Sequence, residues 1–468
     1  MTGFYPVLAE NLVLPLYDIA RGTSRFKYGH ILRKSQWFSH EQITRLQNHN
    51  LRILLKHAYE TVPYYRTVFK ESGLTPDDIR NPEDLVKLPT LTKADIRNHF
   101  DDMVSQEYPK NKLVRTRSGG TGDPITFFAT KEQQSWELAA EFRAYGWAGY
   151  RLGDRCMIFW GSPLDTPKVK DLVHRITSTL DRTLVANTFV FSEEILDSFG
   201  RIMSKFRPQI VRGYAGSVYI MARYMLENPR DWPQPRAVIT SAEMLLEHQK
   251  ETVESAFKCP VFDFYGSREI GAIASKCEEN NGYHISAENV LVECVKDGEH
   301  VSPGEAGVTL ITNLRNFGMP FIRYEIGDVA KLGEDECACG RGLPLLSSVE
   351  GRVSQFMAVF DKRLNRVVPV NTVPGFFGVE LRNVLLERYM IIQESLQRIV
   401  IKVAKGKDYS ESQTDLIVSK IRGLFGDDIS IDVEFVDYLP PLPSGKRSVF
   451  ISKIDPFKLQ FNDKGERC

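Results

Sequence analysis

The sequence predicts an α/β protein with a large multi-sheet N-terminal domain over residues 1–352 and a small α+β domain over residues 353–468. Three observations predict it. The chain has 468 residues, more than one ordinary hydrophobic core holds, so two or more domains are expected. Between residues 156 and 265 short apolar runs alternate with helical segments, the pattern of an α/β sheet. Beyond residue 353 the texture changes to a few strands around one amphipathic helix.

Taken in order, Phe4 to Ile19 is apolar but interrupted by Glu10, Asn11 and Asp18. It lacks a basic start, which argues against a signal peptide. It reads as a buried segment, with peripheral membrane contact as the alternative. Ile43, Leu46, Leu51, Ile53, Leu54 and Ala58 recur at helical spacing until Pro63 breaks the pattern. Pro82 and Pro89 punctuate a linker, and Leu91-Thr92-Lys93 opens another helix. A short basic strand from Leu113 runs into a glycine loop, and Ile125–Thr130 returns as a strand. Cys156–Trp160, Ile210–Tyr214, Ala237–Thr240 and Val261–Tyr265 are the alternating strands. In the small domain Arg398–Val403 is a strand, and Leu416, Ile417, Ile421, Leu424 and Phe425 mark a helix. Ile429, Ile431, Val433 and Phe435 alternate with polar residues as a half-buried strand.

Composition excludes several classes. Lysine plus arginine equals aspartate plus glutamate at 60 each, so no basic excess points to nucleic acid. No apolar run reaches the roughly 20 residues of a membrane span. Seven unevenly spread cysteines argue against a disulfide framework and leave metal binding open. A cytoplasmic location is the expectation.

Two distant segments carry the chemistry. Ser118-Gly119-Gly120-Thr121-Gly122-Asp123-Pro124 offers three glycines and two hydroxyls in seven residues, with Arg115 and Arg117 upstream. Glycine lets backbone N–H groups face an anion with no Cβ in the way. It is not a Walker loop, since no Gly-Lys-Ser/Thr follows. Taken alone, it reads as a hairpin turn. The second segment is Pro443-Ser444-Gly445-Lys446 in a proline-rich tail, a single lysine on a Gly/Pro-framed loop. Between them lie Tyr265-Gly266-Ser267-Arg268-Glu269, Ile322-Arg323-Tyr324-Glu325-Ile326-Gly327-Asp328 and Glu350-Gly351-Arg352.

The order and spacing of these five motifs resemble the adenylate-forming superfamily of acyl-CoA synthetases. Within it they are most similar to the phenylacetate–CoA ligase-like branch, which includes the capsular polysaccharide CapK-type proteins. Tyr265–Glu269 running on to Cys277, Tyr283-His284-Ile285, and Met319-Pro320-Phe321-Ile322-Arg323-Tyr324 leading to Gly327-Asp328 carry the branch resemblance. It extends from the helix near residue 45 to the tail. It implies ATP and Mg²⁺ as cofactors, a small carboxylic acid as substrate, acyl-AMP as intermediate and CoA as acceptor.

Residue by residue, the resemblance implies that Ser118, Gly119, Gly120, Thr121 and Gly122 grip the β- and γ-phosphates. Gly120 stands where the family carries a hydroxyl. Ser241, Ala242 and Glu243 lie beside the adenine, and Tyr265, followed by Gly266, packs on the base. Glu269 helps hold Mg²⁺. Asp328 accepts hydrogen bonds from the ribose hydroxyls, supported by Arg323, and Arg352 sits at the domain junction. Lys446 bridges the carboxylate and the α-phosphate. After Gly351-Arg352 the chain reads Val353-Ser354-Gln355, without the aspartate or lysine of the family hinge; the resemblance implies rotation of the small domain between half-reactions.

Cys277, His284, Cys337 and Cys339 form two distant ligand pairs, three sulfurs and one imidazole, which suit a tetrahedral structural zinc. Similar members of the branch carry such a site. The other reading is reduced cysteines and a solvated histidine. Cys156, Cys259 and Cys294 are expected in the core. Trp160-Gly161-Ser162-Pro163, Tyr214-Ala215-Gly216-Ser217 and Tyr265 are expected to wall the acyl pocket. Three functions follow. One is an acyl- or aryl-CoA ligase. The second is an adenylating enzyme that passes its acyl or aminoacyl group to an amine or hydroxyl of a surface polysaccharide. The third is a nucleotide-binding module that no longer catalyses.

Overall fold

The computed structural model describes residues 4–118, 124–160, 182–188, 193–333, 336–352, 356–361, 366–371, 389–404, 410–425, 429–439 and 450–454. The chain divides into two compact units. The large one comprises Met1–Ile326 and Ala330–Val349, the small one Gly327–Val329 and Glu350–Cys468. Asp328 therefore groups with the chain that follows residue 349.

The helices of the large unit begin where local chemistry says they should. His40–Thr61 starts from a capping box in which Ser39 and Gln42 satisfy each other's backbone N–H groups. It stops before Pro63, which occupies the first turn of the next helix, Pro63–Glu71. Thr92 and Asp95 repeat the box at Lys93–Asn98. Leu51, Leu54, Leu55 and Ala58 pack with Tyr65, Phe69, Leu291, Leu314 and Ile322 in one buried cluster.

A hairpin of β1 (Val114–Arg117) and β2 (Thr126–Ala129) precedes the helix Lys131–Trp147. Next come β3 (Cys156–Trp160), β4 (Thr183–Asn187), β5 (Ile210–Tyr214), β6 (Ala237–Ser241) and β7 (Val261–Ser267). These pair in parallel in the order β4-β3-β5-β6-β7. Helices Ala215–Glu227 and Glu247–Phe257 lie between successive strands. Strands β8 (Gly271–Ser275), β9 (Tyr283–Ile285), β10 (Val290–Lys296), β11 (Glu299–His300), β12 (Ala306–Asn313), β13 (Tyr324–Leu332) and β14 (Leu345–Arg352) continue the sheet. The described sheet has 12 strands in the order β11-β10-β12-β13-β14-β9-β8-β7-β6-β5-β3-β4.

In the small unit β15 (Phe356–Asp361) pairs with β16 (Arg366–Asn371). Strands β17 (Tyr389–Ser395), β18 (Arg398–Ala404), β19 (Ser430–Val436) and β20 (Phe450–Ser452) form a second sheet in the order β19-β18-β17-β20. Helix Glu411–Phe425 lies between β18 and β19, and Ile417 and Ile421 are fully buried.

The expected α/β class, with its strands and helices, is present. The N-terminal segment is a correction: Phe4, Leu12, Leu16 and Ile19 are exposed rather than buried. Cys156 and Cys294 are buried as expected, whereas Cys259 is half-buried.

Candidate active site and metal centre

Four neighbouring parallel strands end in residues that the sequence singled out. In a parallel sheet with crossover helices, ligands bind beyond the carboxyl ends of the strands, where loops diverge and helix N-termini point. Here those ends carry Trp160 on β3, Tyr214–Ser217 after β5, Ser241–Glu243 after β6, and Tyr265–Glu269 from β7.

At β3 and β5 the Trp160 and Tyr214 rings lie 4.3 Å apart, tilted by 51°. Both belong to the set expected to wall an acyl pocket, while Gly161–Pro163 fall outside the described residues. Ser217 Oγ donates to Thr188 Oγ1 at 2.9 Å beside them. The end of β6 turns sharply: Ala242 sits at φ 70°, a conformation that costs an L-residue roughly 1–2 kcal/mol. The turn brings Glu243 back so that its Oε2 accepts the Gly216 N–H at 2.9 Å. A carboxylate there complements the positive end of helix Ala215–Glu227. A Cβ at Gly216 would stand 2.9 Å from that same oxygen, so a larger residue there would displace the Glu243 carboxylate.

On β7 the register slips between Tyr265 and Gly266. Such a bulge re-aims the strand's side chains. Gly266 allows it, because a Cβ would lie 2.7 Å from Gly271 O. Tyr265 is half-buried against the main core cluster, leaving part of its ring uncovered. Glu269, 7% exposed, accepts from Tyr324 OH at 3.4 Å. A largely buried carboxylate with oxygen lone pairs to spare suits one ligand position of a Mg²⁺ that is otherwise held by phosphate and water.

The glycine loop is held at its neck. Ser118 is fully buried; its N–H donates to Ile125 O at 2.8 Å, and its Oγ accepts the Ile125 N–H at 2.9 Å. Gly119, Gly120, Thr121 and Gly122 lie outside the described residues. The hairpin base is fastened by Asn316, which donates to Phe128 O at 3.0 Å, and by Gly318, where a Cβ would stand 2.7 Å from Leu113 Cδ2. Arg115 and Arg117 project from the exposed face of β1.

Within the small unit Asp328 Oδ1 stands 2.9 Å from Arg352 Nε. Gly327, at φ 85°, makes room for that guanidinium. Arg323 was expected to support Asp328. Its guanidinium is instead engaged with Glu293 Oε1 at 3.1 Å and with Leu88 O, while its carbonyl accepts from Leu91. Arg352 is the arginine on Asp328. Lys446 lies outside the described residues, as do Val353, Ser354 and Gln355 of the hinge.

Two features escaped sequence reasoning. Asp263 is buried under the end of β7, where Thr240 Oγ1 and Tyr283 OH each donate to it at 2.7 Å. Burial pushes its carboxyl above the usual range, and those hydrogen bonds oppose the shift. It ties β6, β7 and β9 together two residues before Tyr265. An aspartate inside an otherwise apolar strand was the available signal. Glu137, on the helix after the hairpin, packs against Gly271 of β8. Burial pushes its carboxyl up to about 8. Nothing in helical periodicity marks it.

The proposed metal ligands come together. The donor atoms of Cys277, His284, Cys337 and Cys339 all lie within 4.8 Å of one another. Cys277 Sγ is 3.5 Å from Cys337 Sγ, and Cys339 Sγ is 3.3 Å from His284 Nε2. Thiolates about 2.3 Å from a tetrahedral zinc stand roughly 3.8 Å apart, so the donor set and its size fit that ion. Burial, with Arg341 nearby, pushes His284 down to about 4, so the imidazole is neutral and has a lone pair to give. Cys277 follows β8, His284 lies on β9, and the Cys337–Cys339 loop precedes β14, which pairs antiparallel to β9. A metal there would join the loop after β8 and the loop before β14 to strand β9. A separate cavity of about 370 Å³, lined in part by Arg25, Arg33, Arg143, Trp147 and Arg341, contains none of the expected nucleotide residues.

Comparison with known proteins agrees with the motifs. Residues 379–453 match the CapK C-terminal domain. The chain is 28% identical to a phenylacetate–coenzyme A ligase of Thermus thermophilus over 68% of its own length and 72% of that protein's. It is 23% identical to Protein CapK of Staphylococcus aureus over 96% of its own length and 98% of that protein's. A crystal structure of 2-hydroxyisobutyryl-CoA ligase in the postadenylation state superposes with a TM-score of 0.66 at 17% identity, covering 89% of this chain and 90% of that one. That likeness is one of fold.

Proposed function

Because the chain is a relative of the phenylacetate–CoA ligases and of CapK, within the adenylate-forming superfamily, we propose that it is an AMP-forming carboxylate ligase that passes its acyl group to CoA. The observation that carries this reading is the run of four adjacent parallel strand ends bearing Trp160, Tyr214–Ser217, Ser241–Glu243 and Tyr265–Glu269. An aromatic wall, a strained turn capping a helix, a half-covered tyrosine and a buried carboxylate are the parts needed to seat an acid beside a nucleotide.

In the first half-reaction a carboxylate oxygen attacks the α-phosphorus, and the bond to the bridging oxygen breaks to release pyrophosphate. In the second, the CoA sulfur attacks the acyl carbon, AMP leaves, and the thiol proton passes to solvent. The chain's contribution is to hold two anions together and to stabilise developing charge. Tyr265 stacks on the adenine, with Ser241 and Ala242 along its edge. Glu269 supplies one oxygen to Mg²⁺, which neutralises the phosphates when bound. Asp328, oriented by Arg352, accepts from the ribose. Ser118 anchors the loop whose Gly119–Gly122 N–H groups receive the β- and γ-phosphates, and Lys446 meets the α-phosphate. The Cys277/His284/Cys337/Cys339 centre holds zinc structurally and takes no part in either step.

A second reading rests on the resemblance to the capsular polysaccharide CapK-type proteins alone. In it the acceptor is an amine or hydroxyl of a surface polysaccharide, and the adenylation chemistry is unchanged. Pyrophosphate exchange measured across a panel of acids, with and without CoA, tests both. A CoA-dependent thioester supports the first reading. Acid-dependent exchange indifferent to CoA, with no thioester, supports the second. ATP binding without exchange on any acid overturns both and leaves a nucleotide-binding module.

A further inference from the structure

The N-terminal helical segment projects a continuous apolar stripe. Phe4, Val7, Leu12, Leu16 and Ile19 are 81, 45, 51, 57 and 79% exposed. In an unbroken α-helix these five would scatter over half the circumference, and Asp18 would sit among them. The segment is not unbroken: Ala9–Val13 forms a π turn between α-helices Phe4–Leu8 and Leu14–Arg21. A π turn takes up one extra residue, so at about 100° per residue elsewhere the five side chains fall within an arc of about 80°.

The opposite face is fastened to the large unit. Pro6, Ala9 and Asp18 are buried. Tyr5 and Ala9 seat on Gly153, where a Cβ would lie 2.9 Å from the tyrosine ring. Asp18 accepts from Arg25 Nε at 2.9 Å and from the Phe26 N–H at 2.8 Å. The segment is thus held in place with its greasiest side chains turned outward.

We propose that this stripe is an interfacial anchor for a negatively charged lipid bilayer. Charge selects the occupant. Glu10 and Asp18 are the acids between residues 4 and 38, and both are engaged by arginines, Arg151 and Arg25. Arg21, Lys27, Arg33 and Lys34 of the same stretch are exposed. A second copy of the chain docking on the same face would bring these like charges together, whereas anionic headgroups complement them. No described helix is long and apolar enough to cross a membrane. The segment therefore lies in the interface, its stripe among the acyl chains and its basic side chains at the headgroups. An enzyme held there would meet an acid or acceptor presented at a bilayer surface.

Flotation of the full chain with vesicles tests the proposal. One set contains phosphatidylcholine alone, the other equal parts phosphatidylcholine and phosphatidylglycerol. The chain is expected to float with the anionic vesicles and to bind neutral ones about tenfold more weakly. Leu16→Glu combined with Ile19→Glu should abolish flotation, and Arg33→Glu combined with Lys34→Glu should reduce binding to the neutral-vesicle level. These side chains are exposed, so thermal unfolding should stay at the wild-type temperature. Leu12→Gln provides a milder variant with a partial loss. Failure of the wild type to float, or unchanged flotation of the glutamate variants, overturns the proposal. So does light scattering that finds a dimer dissolved by the same substitutions in a chain that ignores vesicles.

Discussion

Asp328 Oδ1 and Arg352 Nε stand 2.9 Å apart, joining residues from β13 and β14 that are 24 positions apart in the chain. The arginine fixes one carboxylate oxygen and so the plane of the group, and a carboxylate has about four lone-pair sites to offer. If that plane receives the ribose, the two residues act as one device. Asp328→Ala should weaken ATP binding roughly 10- to 100-fold, the scale of a lost charged hydrogen bond. Arg352→Ala should weaken it less, and the double variant should fall short of the sum by about 1 kcal/mol or more. Calorimetric titration of the three variants checks this. Strict additivity would deny the coupling.

Lys446→Ala should slow adenylation by about 100-fold or more, the scale of one lost transition-state donor. Thioester formation from preformed acyl-AMP should change far less. The two half-reactions are read separately, by pyrophosphate exchange and by CoA acylation. Equal loss in both would remove the role given to this lysine.

Purified chain should carry about one zinc, held by Cys277, His284, Cys337 and Cys339. Cys339→Ser or chelation should lower the melting temperature by several degrees. Turnover at low temperature should change little if the metal serves only to join these segments. Metal content far below one per chain would exclude the site.

Glu137 gives stability a pH dependence of definite sign. The unfolded glutamate loses its proton near 4.5, the folded one near 8. Between those values the folded chain holds a proton that the unfolded chain lacks. The contribution is therefore greatest at the acid end and is lost as pH rises toward 8. Glu137→Gln keeps an acceptor for Gln133, which donates to Glu137 at 2.6 Å, and removes the charge. The variant should be more stable than wild type at pH 8 by about 1–3 kcal/mol, with a flatter slope from pH 5 to 8. Urea unfolding at both pH values measures it.

Local pattern made much of this protein legible. The helical spacing from Ile43 to Ala58, the opening at Leu91-Thr92-Lys93, the stop before Pro63 and the apolar runs of β3, β5, β6 and β7 are short-range signals, and each marks an element near its observed position. The run Tyr265–Glu269, from the end of β7 into the turn that follows it, lies within the same short range of chain. Cys277, His284, Cys337 and Cys339, read as two distant pairs, lie with their donor atoms within 4.8 Å of one another.

Chain order could not say which residues meet. Glu243 reaches back 27 positions to the Gly216 N–H, and Arg323 turns to Glu293 and Leu88 rather than to Asp328. Asp263 joins three strands, and a π turn rotates the N-terminal apolar residues outward. Periodicity and capping depend on neighbours within a turn or two of backbone. Ion-pair choice, burial of a carboxyl and the facing of a helix depend on what the sheet brings alongside, and that is set only when the whole chain packs.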